Sequence, residues 1–188
     1  MNDTGEDRPA DRLDDAVRAM LKSQYHAALA MFRDAVVRCP NATWLDTSQR
    51  NAFWQIAYHT LFFTDLYLQR DQTSFRGWPG HQANVQQPDG IGGPPEPGSK
   101  LPVTPQPYSK NDVLQYWDVC SRMVDEAVDG LDLHNPESGF SWYQMPKLEH
   151  QIVNIRHIQH HGAQLADRLR AAADVGVRRV GKARAPGT

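Results

Sequence analysis

Residues 49–69 read QRNAFWQIAYHTLFFTDLYLQ, and their apolar residues point to the architecture. Phe53, Ile56, Ala57, Thr60 and Phe63 recur at the three-and-four spacing of one helical face. Trp54, Tyr58, Leu61 and Phe62 fill the other faces, so the segment is a helix that is apolar nearly all round. Such a helix must be covered on more than one side. Either the long connection that follows it folds over it, or a second subunit does.

Three more helical patterns flank this one. Upstream, Leu13, Val17, Met20/Leu21, Ala27/Ala28, Met31 and Ala35 give one buried face over Leu13 to about Val37. Pro40, Asn41 and Thr43 end that helix, and Thr47 or Ser48 can cap the next. Downstream, Ser109 with Asp112 resembles a capping box, and Val113, Trp117, Cys120, Val124, Ala127/Val128 and Leu131 follow at helical spacing until Gly130. After a turn at Asn135-Pro136-Glu137-Ser138-Gly139, Pro146 can occupy the first turn of a fourth helix reaching about Ala173. No strand pattern competes. The expectation is an all-α four-helix bundle, a single domain over residues 1–174 with a flexible tail over 175–188.

Between Asp71 and Tyr108 lie eight of the chain's 13 prolines and the run Gly92-Gly93-Pro94-Pro95-Glu96-Pro97-Gly98. Regular helix is not expected there from the composition. The segment reads as a long Pro/Gly-rich crossover between the second and third helices, with Phe75, Trp78 and Val85 available to dock its first half and a mobile Gly/Pro part after them.

Composition removes several function classes. With 20 basic and 22 acidic residues the net charge is −2, which gives no global field to recruit nucleic acid or an anionic membrane. The Arg178/Arg179/Lys182/Arg184 cluster reads as a solvated tail. Cys39 and Cys120 stand far apart, against both a disulfide framework and a thiolate zinc cluster. The N-terminus has no charged lead into an apolar stretch, and no run of about 18 apolar residues occurs. Cytoplasmic residence is the expectation.

Histidine carries the chemistry. The fourth helix contains Arg156-His157-Ile158-Gln159-His160-His161-Gly162-Ala163-Gln164-Leu165. His157 and His161 are one turn apart, their Cβ atoms about 5–6 Å from each other, so both rings can converge on one ion. His160 projects about 100° away from His161; a 157/160 pair is the less favourable alternative. His150 and Asn154 share the stripe of His157 and are candidates to line a pocket. The second helix offers His59 inside an apolar segment, where a buried imidazole needs a hydrogen bond or a metal. A satisfied core histidine is the competing reading of His59, and a solvated or locally bonded pair is that of His157/His161. Two candidates on two long helices favour a shared ion. Asp65 reads as a helix-surface acid.

The two segments Ile56-Ala57-Tyr58-His59-Thr60-Leu61-Phe62-Phe63-Thr64-Asp65-Leu66-Tyr67-Leu68 and Ile155 to Leu165 resemble those of the DinB/YfiT-like superfamily of metal-binding four-helix bundles, over about Leu13 to Leu169. The resemblance implies that His59, His157 and His161 bind a divalent ion, zinc or nickel, with positions left open to water or substrate. It also implies a homodimer. Residues 71–108 form a longer connection than a minimal member has.

Three neutral ligands leave an ion with its full double charge and an open position, a catalytic rather than a closed structural arrangement. Such an ion can lower the pKa of bound water to about 7 and deprotonates a bound thiol. Family members that are thiol-dependent transferases or isomerases imply a first reading, in which the ion activates a low-molecular-weight thiol such as mycothiol, bacillithiol or glutathione toward a small-molecule substrate. A second is hydrolysis by bound hydroxide, with His150 or Glu149 as acid or base if the helix faces them inward. The third is a metal-stabilised binding or stress-response module without catalysis.

Overall fold

A computed structural model describes residues 9–82, 85–86 and 106–186. They form five helices and no strand: α1 (Pro9–Arg38), α2 (Asn41–Trp44), α3 (Phe53–Leu68), α4 (Lys110–Asp129) and α5 (Lys147–Ala173). α1 packs on α4 and α5, and α3 packs on the same two, so each long helix has two long neighbours.

The ends differ in detail from the sequence expectation. α3 starts at Phe53 because neither Thr47 nor Ser48 caps it; Ser48 instead donates its backbone N–H to Asp46 Oδ1 at 2.9 Å within the preceding loop. At Ala52 the chain is extended, and Gln55 Oε1 accepts the Ala52 N–H at 2.7 Å, satisfying a donor that the helix leaves open. α2 is an unanticipated turn of helix, held because Trp44 is buried and its Nε1 donates to Tyr108 O at 2.8 Å. α4 has the expected cap: Ser109 Oγ accepts from the Asp112 N–H while Asp112 Oδ2 accepts from the Ser109 N–H. Pro146 is the N-cap of α5 rather than part of its first turn, and Asp174 closes that helix in the left-handed region with φ 52°.

The cover demanded by α3 comes from this same chain. Fourteen of its sixteen residues, from Phe53 to Leu68 except Gln55 and His59, are buried. Besides α4 and α5, the near half of the connection lies on it: Phe75 meets Phe62 edge-on at 5.4 Å, His81 lies 5.1 Å from the same ring, and Val85 is buried. Trp78 stacks on Tyr116 of α4 at 4.8 Å, and Tyr108 stacks on Tyr58 at 4.4 Å. Val85 and Tyr108 are buried and Phe75 and Trp78 half-buried, so docking the connection removes apolar surface from water and closes the α3 face that would otherwise be exposed. The Gly/Pro run at 92–98 lies outside the described residues.

The loop before α5 is tied to the far end of α3. Lys147 Nζ donates to Arg70 O at 2.6 Å and also to Ser138 O. Gly139 has φ +87°, and a Cβ there would stand 2.6 Å from Arg70 O, so both conformation and space require glycine. Beyond Asp174, Ala183 N donates to Ser23 O at 3.3 Å and Gln24 Nε2 to Gly181 O at 3.1 Å, which lays the segment expected to be a free tail along α1.

Candidate metal centre

His59 comes from the middle of α3, and His157 and His161 from successive turns of α5, which packs on it. One ring nitrogen from each of the three lies within 4.8 Å of the others. Ring centroids are 5.1 Å apart for His59 and His157, 4.7 Å for His59 and His161, and 4.6 Å for His157 and His161. All three are half-buried, and the Phe63 ring lies 4.9 Å from His59 and 5.8 Å from His157. His160 is exposed beside His161, outside the group.

Two rings are oriented from outside the group. His59 Nδ1 is 2.6 Å from Gln86 O, so Nδ1–H donates to that carbonyl and Nε2 carries the lone pair. His161 Nδ1 is 2.8 Å from Gln164 Oε1, so Nδ1–H donates to that amide oxygen and the lone pair lies on Nε2. Hydrogen bonds of this kind fix tautomer and orientation in metal-ligating histidines. His59 Nε2 and His157 Nε2 are 3.2 Å apart. Two nitrogens each about 2.0–2.1 Å from one tetrahedral ion stand about 3.3–3.4 Å apart, so the spacing fits a shared divalent cation. Burial first, then the nearby His161, His59 and His160, holds the His157 imidazole down at about 2, so it is neutral and able to donate its lone pair throughout the physiological range. His157 Nδ1 is buried without a partner.

The pocket candidates separate. Glu149 is exposed, which removes it as an acid or base for this centre. His150 is wholly buried, about two turns before His157 on α5, ringed by Tyr67 at 4.7 Å, Phe140 at 4.9 Å and Tyr143 at 5.1 Å. Neither of its ring nitrogens has a partner, and burial followed by the Lys147 charge lowers its pKa to about 4. Asn154, one turn from His150, donates to Thr64 O at 3.4 Å and leaves its Oδ1 unpaired. Asp65 corrects the sequence reading. It is buried rather than a surface acid, and Tyr116 Oη donates to its Oδ2 at 2.9 Å and Gln69 Nε2 to its Oδ1 at 3.1 Å. The signal was present: α3 has no polar face on which an acid could be solvated.

Described residues that form helices and no strand, with three histidines gathered from two of the long helices, define a helical protein with a candidate divalent-metal site. The sequence matches the DinB superfamily over residues 24–165, and the chain belongs to that superfamily. No curated protein and no solved structure matches it.

Proposed function

We propose that the protein is a metal-dependent thiol S-transferase or isomerase, and the observation that carries this is the convergence of His59, His157 and His161 on one point. We read the four long helices as one bundle domain of the DinB type, with residues 71–108 as its crossover. When bound there, zinc or nickel supplies the positive charge that keeps a thiol deprotonated at neutral pH. His59, His157 and His161 hold that position as neutral donors. Gln86 O and Gln164 Oε1 fix the His59 and His161 rings, and Phe63 shields one side from water. In the transfer, the thiol sulfur attacks an electrophilic carbon of a small-molecule substrate, the leaving group departs with the bonding pair, and the thiol proton passes to solvent; in the isomerisation, the sulfur adds to a carbon of a conjugated double bond and, after rotation, leaves again with the bonding pair. A thiol brings its own nucleophile, whereas hydrolysis asks for a base; with Glu149 exposed and His150 about two turns away, the thiol reading is the better supported.

Buried, unbridged Cys39 and Cys120 suit a reducing compartment. The homodimer is proposed on family membership, since α3 is already covered within the chain; light scattering decides it. The activity test incubates the metal-loaded protein with glutathione, mycothiol or bacillithiol and an activated aryl halide. Thioether formation that is lost in His157→Ala supports the reading. Equal conjugation in wild type and variant defeats it, and silence with every thiol together with ester cleavage points to the hydrolase. Silence in both assays leaves the metal-stabilised binding module.

A further inference from the structure

A cavity lies between α1 and α4, the pair of helices that does not carry the histidine group. Its volume is about 520 Å3, within the roughly 300–1,000 Å3 of small-molecule sites. The floor is formed by His26, Trp117 and Ser121, all buried. His26 Nε2 is held at 2.8 Å from Asp125 Oδ1, while the Ser121 hydroxyl is buried with no partner. An unpaired buried hydroxyl costs free energy unless a ligand or water meets it.

The walls are cationic. Arg33 lies over the Trp117 ring at 5.3 Å, and Arg178 and Arg184 come in from the C-terminal segment that runs back along α1. Among the described residues the lining holds one carboxylate, Asp34, whose Oδ1 is taken by Arg38 Nε at 2.6 Å and whose Oδ2 accepts the Arg178 backbone N–H at 3.5 Å. No carboxylate pairs with the guanidinium groups of Arg33, Arg178 or Arg184 among the described residues. Arg33, Arg178 and Arg184 are exposed side chains around one concavity, so an anion seated there can be met by guanidinium groups from α1 and from the C-terminal segment. Guanidinium is the side chain whose fork matches phosphate and carboxylate oxygens in pairs. Residues 175–186 lie beyond the 24–165 family match, so this wall is not part of the matched region.

We propose that this cavity binds a small organic anion, its oxyanion held by Arg33, Arg178 and Arg184 and its apolar body against Ala30, Val37 and Val180. The arginine cluster of the tail is then one wall of a site.

The test is a calorimetric and amide-NMR titration of the whole chain with phenyl phosphate and with benzoate at about 0.1 M salt, where exposed charges farther than about 10 Å away are screened. Saturable binding that shifts the Ser121, Arg33 and Ala183 amides is expected. Because charge-assisted hydrogen bonds are lost, Arg178→Ala with Arg184→Ala weakens it by about tenfold or more. Tighter phenyl phosphate assigns a phosphate ligand, and tighter benzoate a carboxylate. His157→Ala leaves binding unchanged, which keeps this result independent of the metal site. Absence of saturation with both probes overturns the proposal, and so does an equal loss in Arg156→Ala, an exposed arginine on α5, because that would be a general charge effect.

Discussion

His59 on α3 and Gln86 in the connection are joined by a 2.6 Å hydrogen bond from imidazole Nδ1 to the backbone carbonyl, so a segment outside the helices sets the orientation of a candidate ligand. Because the acceptor is backbone, what holds it is the packing of its neighbour Val85, which is 5 % exposed. Val85→Ser should loosen that anchor and weaken metal binding by about tenfold or more, the usual range for losing a hydrogen bond that orients a ligand. Competition against a colorimetric chelator measures it. Unchanged affinity with intact folding would show that the carbonyl does not set the His59 ring.

Gln164 does the same for His161 through a side chain, which makes the comparison cleaner. Gln164 is exposed, so Gln164→Ala leaves the core intact while removing the 2.8 Å bond to His161 Nδ1. A loss of affinity of about tenfold at constant thermal stability is expected.

His150 makes stability depend on pH. Its folded pKa of about 4 lies below the ordinary 6.5, so between these values the unfolded chain takes up a proton that the folded protein excludes. The contribution is fully present above pH 6.5 and is lost as pH falls toward 4, by about 2 kcal/mol between pH 7 and pH 5. His150→Phe, among Tyr67, Phe140 and Tyr143, keeps an aromatic ring in place and has nothing to titrate. Urea denaturation at the two pH values should therefore show the variant losing about 2 kcal/mol less than the wild type. Parallel losses would assign the pH dependence to other groups.

Asp65 has the opposite sign. Burial raises its carboxyl pKa against the lowering effects of Tyr116 and Gln69, so the folded state keeps a proton that the unfolded chain has released. That contribution is present below pH 3.8 and is lost as pH rises through the folded value. Asp65→Asn removes the buried charge and retains an oxygen for Tyr116, and it should stabilise the protein at pH 7 by on the order of 1 kcal/mol, with less gain at pH 4. Tyr116→Phe instead strips the carboxylate of its 2.9 Å donor and should cost about 1.5–3 kcal/mol at pH 7.

What could be read from the sequence was what repeats along a helix. The stripe of α4, its Ser109 cap and the i,i+4 pair His157/His161 depend on local geometry, and they stand where spacing puts them. Contacts set by the return of irregular chain could not be read. The Gln86 carbonyl on His59, the Trp44 to Tyr108 bond that makes a helical turn of 41–44, and the path of 175–186 along α1 all join residues with no shared periodicity. Asp65 lies between. Its burial followed from the apolar ring of α3, while its partner Tyr116 depended on which face of α4 meets it.

Metal binding should also appear as stability, because an ion that binds only the folded chain stabilises it by mass action. Holding free zinc at about 100 times its dissociation constant raises the unfolding free energy by about 2.7 kcal/mol. The ligands come from α3 and α5, so the gain reflects clamping two helices that are distant in sequence, His59 and His157 being 98 residues apart. His59→Ala should abolish the zinc-dependent shift in denaturation midpoint, whereas His160→Ala, exposed beside the group, should leave it intact. A shift that survives His59→Ala and disappears in His160→Ala would place the ion on a 157/160 pair at the surface of α5 and detach α3 from the site.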